Sequence, residues 1–79
     1  MKAKVYVTLK TGVLDPQGQA VARALSRLGF SEVKDARIGK YIEMQIADDV
    51  KDIDSHLKQM CEKLLANTVI EEYRYEILK

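Results

Sequence analysis

A two-layer α+β sandwich, with two helices packed on a mostly antiparallel sheet, is the fold class this sequence predicts. Three observations lead to it. Residues 3 to 9 and 69 to 77 alternate apolar with polar side chains, the period of a strand with one buried face. Between them lie two stretches whose apolar residues recur at the spacing of an amphipathic helix. A chain of 79 residues also suits one domain, spanning 1–79, and has no room for a second.

Taken in order, Val5, Val7 and Leu9 fall on one side of the first strand, with Lys4, Tyr6 and Thr8 on the other. Asp15-Pro16 then opens a helix. Aspartate can accept from free N–H groups of the first turn, and proline fits the first helical position because its absent N–H would lack a partner anyway. Val21, Ala24, Leu25 and Leu28 form the apolar stripe, and Gly29 terminates the helix near Leu28.

Val33 to Ala47 alternates again, with Ala36, Ile38, Ile42, Met44 and Ile46 in step. At fifteen residues it far exceeds the mean strand of about five or six. It reads either as one long bent strand or as two strands paired through Gly39-Lys40. Asp48-Asp49 offers caps for a second helix, whose stripe is Val50, Ile53, Leu57, Met60, Cys61, Leu64 and Leu65 and whose end lies near Asn67. The last strand sets Val69, Tyr73, Tyr75 and Ile77 against Ile70, Glu72, Arg74 and Glu76. The element order β-α-β-α-β, with the middle strand long and divisible at Gly39, is a variant of the ferredoxin-like arrangement.

A core this small gives a modest margin of stability, and small proteins usually supplement it with disulfides, metals or partner subunits. Cys61 is the only cysteine, so no internal bridge can form, and with His56 it falls short of the roughly four ligands of a structural zinc site. Partner chains remain. Thirteen basic and twelve acidic residues are interspersed, for a formal net charge of +1, which gives no field for nucleic acid or a membrane surface. No secretory leader and no membrane-length apolar run is read, and a cytoplasmic setting is expected.

The residues that could carry chemistry do not assemble into a catalytic set. Cys61 sits on the apolar stripe among Leu57, Leu64 and Leu65, where a thiol behaves as a small hydrophobe. His56 is five positions from it, outside the helical contact spacing. Arg37-Ile38-Gly39-Lys40-Tyr41 has a glycine between cations, yet lacks the earlier glycine and the hydroxyl residue of a phosphate loop. Gly18, within the first helical turn, costs up to ~1 kcal/mol relative to alanine and would permit close approach by another backbone. Tyr6, Tyr41, Tyr73 and Tyr75 all lie in predicted strands. A stacking platform for RNA would use them, but Glu71, Glu72 and Glu76 oppose phosphate binding, and strand tyrosines serve protein contacts equally well. A small-ligand regulatory domain is a further alternative for this element order.

Val5-Tyr6-Val7-Thr8-Leu9-Lys10, followed by Val13-Leu14-Asp15-Pro16-Gln17-Gly18, resembles the opening of the PurS family, in its Bacillus-like form. Val33 through Lys40 and Cys61 through Tyr73 resemble that family's middle and carboxy-terminal segments, in the same order. The resemblance implies a non-catalytic subunit of phosphoribosylformylglycinamidine synthase, which aminates formylglycinamide ribonucleotide with ATP and glutamine. In that pattern PurL binds ATP, magnesium and substrate, PurQ releases ammonia from glutamine, and a PurS dimer or tetramer holds the two together. No cofactor is expected on this chain itself. Asp15, Gly18, Arg37, Gly39, Lys40, Asn67, Glu71 and Tyr73 lie in the matching segments and are the candidate interface residues.

Overall fold

The strict alternation of the first strand, β1 (Lys2–Leu9), is matched by its burial: Ala3, Val5 and Val7 are fully enclosed while their neighbours are not. A strand buried in this way needs partners on both edges, because each residue carries an N–H and a C=O that must be paired. β2 (Gly39–Gln45) and β3 (Glu71–Leu78) supply them, both antiparallel to β1, in a three-stranded sheet of order β2-β1-β3. Val5 lies opposite Ile42 on one side and Tyr75 on the other, so one face of the sheet is apolar across all three strands. A one-residue slip would turn that face to water, which fixes the register. The computed structural model describes residues 1–79.

Two helices complete an α+β architecture. α1 (Pro16–Arg27) has Asp15 as its cap and Pro16 in its first turn. It ends in a Schellman motif: Gly29, at φ 100°, donates to the Ser26 carbonyl at 3.1 Å and Phe30 to that of Leu25 at 2.9 Å. α2 (Ile53–Met60) begins three residues later than the apolar spacing predicts, after Asp52 in the left-handed region, and no side chain caps it. Asp48, one of the expected caps, instead pairs with the Met1 amino group.

α2 passes directly into a π turn at Cys61–Leu65, closed by the Ala66 N–H bonding to the Cys61 carbonyl at 2.9 Å. The widened turn displaces the stripe. Leu57, Cys61 and Ala66 face the core, whereas Leu64, expected inside, is 83% exposed. Val5, Val7, Cys61 and Ala66 form the core cluster, with Ile42, Met44, Leu65, Tyr73 and Tyr75 packed around it.

The long middle segment is neither a single bent strand nor a hairpin. Residues 33–38 are not strand, and pairing with β1 starts at Gly39 opposite Thr8. A two-residue hairpin needs residues at positive φ, and among the glycines only Gly12 and Gly29 have it. Lys40, which would share the turn, is already paired with Val7 in the ladder. The chain therefore enters β2 from an arm formed by α1 and its return segment. Only Gly18 of α1 is buried, and α1 joins the rest through its first turn. The arm accounts for principal extents of 50 × 26 × 14 Å and a radius of gyration of 16.0 Å. A compact domain of this length would have about 12 Å.

Leu57 and Leu64 differ only in placement, and their truncation separates core from surface. Leu57→Ala is expected to cost about 2–5 kcal/mol in denaturant unfolding, and Leu64→Ala less than about 0.5 kcal/mol. Equal losses would contradict the π-turn register.

Candidate functional site

Most of the residues singled out from sequence converge at one end of the sheet, where β1 finishes and α1, β2 and β3 begin. Asp15 is the centre of the first group. Its Oδ1 accepts from the Gly18 N–H at 2.9 Å, the helix cap, and its Oδ2 accepts from the Ile38 N–H, also at 2.9 Å. These two bonds, helped by the Arg37 charge, hold the Asp15 carboxyl below its ordinary value. Capping was legible in sequence, whereas the second bond spans 23 residues and was not.

Gly18 is buried because the return segment crosses over it. A Cβ at Gly18 would collide with the Ala36 carbonyl oxygen and lie 2.9 Å from its carbon. The close approach expected at this glycine is therefore by the chain's own backbone. Gly39 is similar: a Cβ there would strike the Val7 carbonyl oxygen and sit 2.8 Å from Thr8 Cγ2. Arg37, though exposed, folds back on its own chain, its Nη2 donating to the carbonyls of Leu9 and, at 3.0 Å, of Lys10.

A second group lies beside the first. Lys40 Nζ donates to the Leu65 carbonyl at 2.9 Å and stands 4.0 Å from the Glu71 carboxylate. Glu71 accepts from the Asn67 N–H at 2.7 Å and returns its own N–H to the Asn67 carbonyl at 2.7 Å. Asn67 Oδ1 accepts from Val69 at 3.2 Å, closing a turn that carries the chain from the π turn into β3. Tyr73 is separate from both groups. It is half-buried on the helix-covered face, where burial pushes its phenol up.

The tyrosines do not make one platform. Tyr73 and Tyr75 lie under the helix layer, whereas Tyr6 and Tyr41 share the open face with ring centroids 5.2 Å apart. Arg74 stacks 4.0 Å over Tyr6, and Glu43 accepts from the Tyr41 hydroxyl at 2.7 Å, raising that phenol to about 12. Tyr75 is likewise raised to about 12 by its 2.7 Å bond to Asp54. Cys61 is buried, and desolvation pushes its thiol up, away from the thiolate that nucleophilic or redox chemistry needs. No group of three His, Cys, Asp or Glu residues is placed to hold a metal ion. What the surface offers instead is apolar: Leu14, Val21, Leu28 and Phe30 along the arm, with Leu28 72% exposed, and Leu64 and Val69 near the sheet end. Sequence periodicity marked several of these as core, because it cannot tell which neighbour covers a stripe.

A family model for PurS, described as phosphoribosylformylglycinamidine (FGAM) synthase, matches residues 2–79. The chain is 60% identical over 76 residues to the PurS subunit of phosphoribosylformylglycinamidine synthase from Bacillus subtilis, covering 96% of this chain and 90% of that one. It is 51% identical over 75 residues to the subunit of the same description from Synechocystis, covering 94% and 75%. Among solved structures, PurS of B. subtilis aligns with a TM-score of 0.90 at 59% identity, over 99% of this chain and 98% of that one. A chain in the structure of PurLQS from Thermotoga maritima aligns with a TM-score of 0.85 at 33% identity, over 98% and 95%.

Two substitutions test the geometry at the base of the arm. Gly18→Ala should lower the thermal midpoint, although alanine in a helix is worth up to ~1 kcal/mol over glycine, because the obstructing atom is backbone. A raised midpoint would show that the return segment yields easily. Asp15→Ala should also lower it, with a pH signature. A carboxylate whose folded pKa is depressed contributes above its unfolded value, 3.8, and loses that contribution as pH falls through the lower folded value. The gap between variant and parent midpoints should be full at neutral pH and shrink in acid. A pH-independent gap would mean the charge is irrelevant.

Proposed function

The chain belongs to the PurS family of phosphoribosylformylglycinamidine synthase subunits, and from that membership we propose that it holds a PurQ glutaminase against a PurL synthetase. The observation that carries the reading is its close structural match, over nearly its whole length, to a chain of the PurLQS structure. A subunit with this role needs surfaces that bind and hold, since the amination itself would be done by its partners. ATP and magnesium would belong to PurL and the nucleophilic cysteine to PurQ, with no cofactor on this chain.

Self-association is part of the proposal. Only 7 of 79 residues are buried, and the outer edges of β2 and β3 are unpaired. Both conditions favour pairing with further copies, in a dimer or tetramer, because open edges and wet apolar faces are costly to leave uncovered. The surface assigned to contact is the arm together with the sheet end that carries Lys40, Asn67 and Glu71, whose side chains also serve the fold. Holding two active sites together shortens the path of ammonia between them and limits its loss to water. A cytoplasmic setting goes with this reading. No helix is long and apolar enough to cross a membrane.

Size exclusion with light scattering, on this chain alone and mixed with purified PurL, PurQ, magnesium, ADP and glutamine, tests the role. A peak containing all three proteins is expected, with glutamine-dependent synthesis that disappears when this chain is omitted. Elution alone from every mixture, with no effect on activity, would overturn the bridging role.

A further inference from the structure

A carboxylate acting only as a helix cap needs one oxygen, yet both oxygens of Asp15 are used. Oδ1 holds the start of α1 through Gly18, and Oδ2 holds the residue immediately before β2 through Ile38. Arg37, next in the chain to Ile38, grips the end of β1 through the carbonyls of Leu9, its last residue, and Lys10, just past it. Three separate pieces of backbone are thereby joined at one point: the end of β1, the beginning of α1 and the entry to β2. The crossing is tight, since the Gly18 Cα lies against the Ala36 carbonyl with no space for a methyl group. Beyond that point the arm has no other anchor on the sheet, because no other residue of α1 is buried.

We propose that Asp15, with Arg37, is a clasp that sets the direction in which the α1 arm leaves the sheet. The clasp works through hydrogen-bond valence. The side chain bridges two N–H donors, one in the first turn of α1 and one just before β2, each held by its own oxygen of the same carboxylate. The Arg37 fork supplies the opposite polarity, giving N–H groups to carbonyls left without ladder partners where β1 ends. With both in place the arm and the sheet move as one body. Without them, the peptide links at residues 10–15 and 33–38 would be free to pivot, as in hinge motions where a few residues absorb the change. Residues such as Leu28 and Phe30, far along the arm, would then be presented over a range of positions. The functional consequence, a binding arm held ready at one angle, rests on the proposed role as an assembly subunit. The clasp itself does not.

Asparagine separates capping from clasping. In Asp15→Asn the amide oxygen can still accept from Gly18, but the amide nitrogen then faces the Ile38 N–H, donor against donor. Helix content should persist while the clasp opens. The readout is the distance between nitroxide labels at Arg27→Cys and Gln45→Cys, both exposed and remote from the clasp, with buried Cys61 left in place. Labelled chains diluted into unlabelled ones avoid distances between copies.

The parent should give one narrow distribution, broadened about twofold or more in Asp15→Asn and in Arg37→Ala, with far-ultraviolet helix signal retained. An unchanged distribution in both would overturn the clasp. Ile38→Pro, which removes the donor and leaves the cap intact, should broaden it as well and decides the matter if Asp15→Asn fails to fold. In the unaltered chain the Ile38 amide should resist hydrogen exchange, and rapid exchange there would also overturn the proposal. Mixing the same variants with PurL and PurQ keeps the two readings apart. If the parent chain itself never joins those proteins while the variants still broaden the arm, the clasp stands and the assembly role falls.

Discussion

The sheet layer depends on one constraint: Ala3, Val5 and Val7 must be covered from a single side. β1 is the central strand, so its buried face sets the face of both neighbours through the register, and α2 with its π turn is what lies over it. The turn matters because a regular helix continuing past Cys61 would bring Leu64 and Leu65 round together. Inserting one extra residue per turn instead lets Ala66 close over the strand and sends Leu64 outward. A small side chain at that closing point allows the chain to leave the helix and reach β3 through the Asn67 turn, which Glu71 and Lys40 brace.

Apolar area that this arrangement cannot cover is shared between the arm, at Leu14, Val21, Leu28 and Phe30, and the sheet end, at Leu64 and Val69. Burial is worth about 25 cal/mol per Å² of apolar surface, so a stripe containing Val21 and Leu28 that stays wet gives up stabilisation the chain could otherwise gain. Gly39 and Lys40 are both committed to the ladder with β1, so the chain makes no hairpin reversal there.

Periodicity made most of the architecture legible, and its failures share a cause. β1 and β3 were readable because alternation over several residues has one interpretation when one face is buried. The start and stop of α1 followed from Asp15, Pro16 and Gly29, whose preferences are local. The beginning of α2 was misread because two acidic residues ahead of a helix look like caps, while the Met1 amino group that draws Asp48 away lies 47 residues earlier. The segment 33–38 alternates as a strand would but has no partner strand within the chain, and alternation records only which faces differ. At the candidate site, sequence could mark Asp15, Gly18, Arg37 and Gly39 as unusual for their positions. It could not show that Asp15 reaches Ile38 or that Arg37 reaches Leu9, since those bonds arise from the crossing of distant segments.

With 7 of 79 residues buried, a chain built in this way would gain stability from any partner that covers it. Anything that binds only the folded form stabilises it in proportion to the logarithm of its concentration over its dissociation constant, and a partner covering the arm would be such a ligand. The internal bonds that look most like interface chemistry, from Arg37 and Lys40, are spent inside the chain on holding the arm and the sheet end in shape. What remains exposed along the arm is apolar, and such side chains contribute to a contact only when correctly placed before it forms. Surface ion pairs add little affinity by themselves, whereas a preorganised apolar surface avoids the ordering cost that would otherwise be met on binding.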